Sequence, residues 1–325
     1  MTVKINDALL QASVIGLRGA MGLKPEETLL IVTDELKREI GLALHEAGKT
    51  LCRESILVEM RSREINGQEP PAEIAALMKM ADVVVCPTTK SLTHTNARRE
   101  AANQGVRVGT MPGITAEIME RCLNADFDKI IELTNFVANR MQGVKEIRVT
   151  SKLGTDITMP VAGRAVLPST GVLREKGQSG NMPSGEVYLA PLEGKSNGTV
   201  VIDGSMSGIG LIKTPITVKV VNGYAEAITG GEEASRLAAV LDKPGREARA
   251  VAEFGMGTNY KAQLSGLILE DEKVLGTIHI AFGNNISMGG TISVESHIDG
   301  LVKWPDVYFD GQLVMQEGNL IGFKM

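Results

Sequence analysis

Aromatic side chains are scarce in this 325-residue chain, which has one Trp, four Tyr and six Phe, only 3% in all. A core with so few rings has to be aliphatic, and 43% apolar against 22% charged residues is the balance of a folded globular protein. Cysteine is also sparse. Cys52, Cys86 and Cys122 are odd in number and widely spaced, with no Cys-x-x-Cys pair, which excludes a disulfide framework or a zinc knuckle. Cys86 closes an apolar run and is expected as a buried thiol. There is no basic excess. The net charge is -5, so a nucleic-acid partner is not expected. No apolar run is long enough to cross a bilayer, so no membrane association is expected. The opening MTVKINDALLQASVIGLRGA lacks the order of a signal peptide and reads as an amphipathic helix, which makes the cytoplasm the expected compartment. No Gly-x-Gly-x-x-Gly follows a strand, and there is no phosphate-binding Walker loop and no His-Glu-x-x-His.

A chain of this length is expected to form two domains. Over 1–143, short apolar runs alternate with helical patterns. TLLIVTD (28–34), SILVEM (55–60), DVVVC (82–86) and 106–110 read as strands; 35–48, 71–80, 94–103 and 126–141 read as helices. Such alternation predicts βαβ units around a parallel sheet covered on both faces. Gln142-Gly143 is a helix stop, and the domain boundary is expected there. Over 144–325, short strands recur at 146–151, 156–161, 185–190, 198–203, 216–221, 223–228, 277–282 and within 304–322, with one helix at 231–241. Asn222-Gly223 between two of them is a hairpin signal. The expected fold is an α/β domain with a parallel sheet, followed by a β-rich domain that carries a metal site. Segment 154–180, with Arg164, Arg174 and Lys176, reads as a loop able to meet an anionic substrate.

Histidine is the other scarce residue, present only at 45, 94, 279 and 297. His45 lies late in a helix, where a cation complements the carbonyl end. His94 follows Thr93, a candidate N-cap, and reads as a solvated helix start. His297-Ile298-Asp299 is more telling, because residues i and i+2 of a strand face the same side. An imidazole and a carboxylate would then point together. His279 lies among apolar residues in GTIHIAFG and needs a partner or a ligand. Glu186 in GEVYLAP and Glu253 in AVAEFGMGTN are carboxylates in apolar settings, where burial requires a partner. Imidazole with carboxylate is the donor mix of Zn, Co, Mn or Fe sites.

The order and surroundings of these five residues resemble the aminopeptidase T / aminopeptidase S family of metal-dependent aminopeptidases. The matching stretches are GEVYLAP, AEFGMGTN, GTIHIAFG and the closing His-x-Asp, and LTHTNARREAANQGVRVGTMPGIT in the first half also looks like relatives of that family. The resemblance implies a cytoplasmic, homodimeric hydrolase acting on small peptides. It implies two divalent ions (Zn, Co or Mn) held by Glu186, Glu253, His279, His297 and Asp299. Glu253 would also shuttle a proton between water and the leaving amine. The family carries a Tyr a few residues beyond the first His, whereas 283–296 reads GNNISMGGTISVES and has none. Two alternatives follow. His279, His297 and Asp299 form the two-His, one-carboxylate set of a non-haem Fe(II) oxygenase, as in the dihydroxypyridine ring-cleaving dioxygenases related to these aminopeptidases. That branch is expected to replace the second Glu by His and to lose the first His, so retention of Glu253 and His279 ranks it second. The other alternative is a non-catalytic metal-binding relative.

Overall fold

The computed structural model describes residues 5–323, and the first four residues of the expected N-terminal helix lie outside them. The chain separates into two compact units, Met1–Lys129 with Ser169–Ser184, and Ile130–Pro168 with Gly185–Met325. A boundary expected at Gly143 thus meets a more interleaved division, in which most of the helix Phe127–Met141 goes with the second unit and 169–184 returns to the first.

The first unit is built on a five-stranded sheet in the order Glu54–Met60, Thr28–Asp34, Val83–Thr88, Arg107–Pro112, Ser179–Asn181. Among the described residues its strands pair in parallel, as the uniformly apolar runs predict. Leu30, Val32, Val84, Cys86 and Val108 lie in one apolar cluster with Ile74, Met78, Ala97 and Ala101 from the helices Ala72–Met78 and Asn96–Asn103. Cys86 is fully buried, and burial pushes its thiol up to about 12. The fifth strand was expected to be loop. Ser-Gly-Asn has little strand propensity, and pairing with Val108–Thr110 imposes the extended form. The helix expected from His94 begins at Asn96, and its cap is Thr95, whose Oγ accepts from the Arg98 N–H. Thr93 instead bonds Asn181 and Thr110. His94 is exposed. His45 is not the cation expected, because burial and the neighbouring Lys49 push its pKa below the ordinary value. Its ring meets the Ser55 hydroxyl at 3.1 Å. Arg174, expected on a substrate-binding loop, donates to the Gly19 carbonyl at 2.7 Å.

The second unit is β-rich, as expected, with an eight-stranded and a seven-stranded sheet. Their inner faces share one apolar cluster. Ile147, Val149, Ile157, Val200, Ile202, Val218 and Val220 come from the first, and Val187, Leu189, Phe254, Met256, Ile278, Ile280, Phe282 and Val302 from the second. Each such side chain contributes about 1.5–3 kcal/mol by leaving water. The hairpin at Asn222-Gly223 forms as expected, with Asn222 and Gly223 both at positive φ. Among the described residues no helix is long and apolar enough to cross a membrane.

Candidate metal centre

One face of the seven-stranded sheet packs into the shared apolar cluster. On the strand Thr277–Gly283, Ile278, Ile280 and Phe282 enter the core, so the alternation turns Thr277, His279 and Ala281 to the other side. Antiparallel register extends that second face across four strands. Ala281 pairs with Asp299 and Gly283 with His297; Glu253 pairs with Ala281, and Gly255 with both His279 and Tyr188; Gly257 pairs with Glu186. Residues directly opposite in a sheet share a side, so all five predicted residues, and Tyr188 with them, lie on one face.

Between the large polar groups the register places Gly255, Gly257, Ala281 and Gly283. Gly255 is obligatory. A Cβ there would stand 2.0 Å from His279 Nε2 and 2.2 Å from Cε1, so the imidazole occupies the space that any side chain would fill. Gly257 is equally constrained, because a Cβ would lie 2.2 Å from the Val274 carbonyl oxygen. That close crossing brings Lys273 over the strand.

The groups converge tightly. His279 Nε2 lies 3.1 Å from Glu253 Oε1 and 3.6 Å from Glu186 Oε2. His297 Nε2 lies 3.2 Å from both Glu253 Oε2 and Asp299 Oδ1. Glu253 thus bridges the two imidazoles, and the i, i+2 pairing of His297 with Asp299 is realised. Asp299 Oδ2 accepts from the Ser207 hydroxyl at 3.2 Å. His297 Nδ1 is 2.7 Å from the Asn284 carbonyl oxygen. A carbonyl only accepts, so Nδ1 carries the hydrogen and Nε2 is turned to the carboxylates. His279 has no such brace, and its Nδ1 is buried without a hydrogen-bond partner.

Lys273, Glu272 and the loop 284–296 escaped the sequence reading. Lys273, 1% exposed, donates to Glu186 Oε1 at 2.7 Å and to Glu272 Oε1. In sequence, Glu270-Asp271-Glu272-Lys273 looks like a solvated charge run, yet Glu270, Asp271 and Lys273 are buried. The third is the loop 284–296. Arg164, expected to meet substrate, instead pairs with Glu193 and donates to the Gly289 carbonyl. Glu193 Oε1 accepts from Asn285 Nδ2 at 3.0 Å and from the Thr291 N–H at 2.8 Å. This brace holds the loop that presents the Asn284 carbonyl to His297.

Burial opposes every charge here, and pairing overrides it. Burial lowers the His279 pKa, but Glu253, followed by Glu186, brings it up to about 9. Burial likewise opposes the His297 imidazolium, while Asp299 and Glu253 hold its pKa well above the ordinary value. Burial would raise Glu253, but its bonds to the two histidines keep it below the usual carboxylate range. Asp299 is held well below that range by His297 chiefly, against its own burial. Glu272 is pushed up to about 8 by burial, with Lys273 opposing and Glu186 and Asp299 adding to the rise.

Donor atoms of Glu253, His279 and Asp299 lie within 4.8 Å of one another, as do those of Glu186, Glu272 and His279. Both His297 carboxylate partners, Glu253 and Asp299, belong to the first group. The donor set fits a divalent ion of the imidazole-binding type, because buried imidazole nitrogens and carboxylate oxygens converge within reach of one such ion.

A curated relative, 2,5-dihydroxypyridine 5,6-dioxygenase of Pseudomonas putida strain KT2440, is 25% identical over 264 residues, which is 75% of this chain and 72% of the relative. The solved structure of 2,5-dihydroxypyridine dioxygenase from the same strain superposes with a TM-score of 0.82 at 20% identity, covering 97% of each chain. Wild-type AmpT from Thermus thermophilus superposes with a TM-score of 0.70 at 15% identity, covering 97% of this chain and 99% of its own. These two structures support the expected fold class, and at such identities they bear on the fold alone. The family model described as NicX, 2,5-dihydroxypyridine 5,6-dioxygenase, matches residues 21–322. The match overturns the expected aminopeptidase family, and with it the expected hydrolase, protease and metallo-aminopeptidase activity. The misreading has a physical cause: two imidazoles and several carboxylates are the donors of hydrolytic and oxidative centres alike, so a ligand list does not decide the reaction. Retention of Glu253 and His279, taken as the mark of a peptidase, does not separate the two groups. The chain belongs to the NicX, 2,5-dihydroxypyridine 5,6-dioxygenase family.

Proposed function

We propose that the chain is a non-haem Fe(II) dioxygenase that opens the ring of a hydroxylated pyridine. The observation that carries the reading is the convergence of His279, His297 and Asp299, with Glu253 between the imidazoles, in a chain that matches the dioxygenase family over 21–322. Two imidazoles and a carboxylate are the donors of non-haem Fe(II) oxygenases. Iron held by them supplies the one-electron chemistry that lets dioxygen react with an electron-rich ring.

The chain's own groups set up that chemistry. The Asn284 carbonyl and the Ser207 hydroxyl hold His297 and Asp299 in their rotamers, so their donor atoms need little rearrangement. Glu253 is anionic and touches both imidazoles, so it fixes the two rings relative to each other beside the ion. The substrate side is the His297 side, because that imidazole is about one-third exposed (32%) whereas His279 is fully buried. Tyr188 lies on the same face, opposite Gly255, and offers a phenol to a flat ring.

The test is oxygen consumption by iron-loaded protein given 2,5-dihydroxypyridine and its isomers, with the open-chain product identified by mass spectrometry. Uptake matched to substrate loss, and abolished in His297→Ala, is the expected result. Iron-replete protein that consumes no oxygen with any dihydroxypyridine would remove the proposal.

A further inference from the structure

We propose that Lys273 is the positioning residue that limits the centre to one ion, because its ammonium stands where a second divalent ion would bind. The inference rests on reading this face as a metal centre, and deepens it.

The face carries two candidate donor groups, Glu253 with His279 and Asp299, and Glu186 with Glu272 and His279. Only the second is bonded to a lysine ammonium, a cation that keeps its proton where an imidazole can give its own up to a metal. Lys273 Nζ is 2.7 Å from Glu186 Oε1 and in still closer contact with Glu272 Oε1, so one oxygen of each carboxylate is engaged. The side chain is 1% exposed and cannot swing out into water. Its place is fixed by the backbone. The Asn259 N–H donates to the Lys273 carbonyl at 2.8 Å, and the chain at 273–274 crosses Gly257 where a Cβ would leave no room. Gly257 is the residue directly opposite Glu186, so this crossing delivers the ammonium to that carboxylate.

An ammonium is a donor only and carries positive charge, so it both occupies the oxygens of a divalent ion and repels the ion itself. It satisfies Glu186 and Glu272 without a metal, which leaves Glu253, His279, His297 and Asp299 for a single ion. The expectation of two ions sharing all five predicted residues becomes one ion, with Glu186 as the anchor of the internal cation.

Metal count and spin state test this in the full chain. Stripped wild-type protein reloaded with excess Mn(II) is expected to hold one ion per chain by elemental analysis, with the electron paramagnetic resonance spectrum of an isolated Mn(II). Lys273→Met keeps most of the stem volume and removes the charge; its content is expected to rise from one ion to two, with an exchange-coupled spectrum. Lys273→Arg keeps the charge and stays at one. A wild-type chain that takes up a coupled pair overturns the inference, as does Lys273→Met remaining at one ion under saturating metal. If Lys273→Met fails to fold, Lys273→Gln, which also removes the charge, takes its place, with two ions expected and one ion overturning the inference. One uncoupled ion without oxygen uptake would sustain this inference and remove the dioxygenase reading. A coupled pair with oxygen uptake would do the reverse.

Discussion

Substituting Gly255 by Ala adds one methyl group at a place where the structure has none to spare. The new Cβ would lie 2.0 Å from His279 Nε2, 2.2 Å from Cε1 and 2.9 Å from Cδ2. Ordinary contact between such atoms needs about 3.5 Å, so the ring has to retreat by more than about 1 Å. The 3.1 Å contact from His279 Nε2 to Glu253 then stretches beyond a hydrogen bond. Overpacking of this kind costs about 1–3 kcal/mol, and loss of a buried hydrogen bond to a charged group about 1.5–3 kcal/mol. Together they destabilise the metal-free protein by about 2.5–6 kcal/mol. Metal affinity should fall as well, by about 10- to 100-fold on the scale known for groups that orient ligands. Thermal unfolding of the stripped protein and a competition titration with a chromophoric chelator measure the two effects. Pairing Gly255→Ala with His279→Ala should restore part of the lost stability, since the clash disappears with the ring. Unchanged unfolding temperature and unchanged metal affinity in Gly255→Ala would refute the account of this glycine as the floor beneath the imidazole.

Two further outcomes follow from the same face. In metal-free protein the His279 pKa is raised to about 9, so the protonated ring contributes stability that is complete below its unfolded value near 6.5 and is lost as pH rises through about 9. The unfolding temperature of stripped protein should therefore fall between those limits, and metal should flatten the profile by taking the proton's place; a stripped protein whose stability is level or rising over that window would contradict the assignment. Glu193→Ala removes the acceptor for Asn285 and Thr291 and leaves Arg164 short of its carboxylate, so metal affinity should drop by about 10-fold or more although Glu193 is not among the predicted ligands. Wild-type affinity in that variant would show that the loop holds itself.

The legible part of this molecule was what depends on short-range pattern. Near-continuous apolar runs gave a parallel sheet, and His297 with Asp299 at i and i+2 gave a shared side that the strand His297–Lys303 realises. Glu186 and Glu253 stood out as carboxylates in apolar settings but were placed mainly by resemblance, because their meeting depends on which strands pair and in which register, and no local pattern encodes that. Lys273 was hidden for the opposite reason: its neighbours Glu270, Asp271 and Glu272 make the segment look solvated, and burial of such a run is visible only once the chain crosses Gly257. The strand Ser179–Asn181 was missed because pairing, not propensity, makes it extended.

The group that fixes the His297 tautomer is the carbonyl of Asn284, a piece of backbone and not a side chain. No point substitution deletes a carbonyl. The orientation of this imidazole therefore rests on the path of the chain from 284 to 296, which the Asn284 side chain braces by donating to the Val294 carbonyl at 2.9 Å and accepting from the Ile286 N–H at 3.1 Å, and it is fragile to anything that changes that path or its length. Among relatives, insertions and deletions in this loop, more than exchanges within it, should mark where the centre has been retuned.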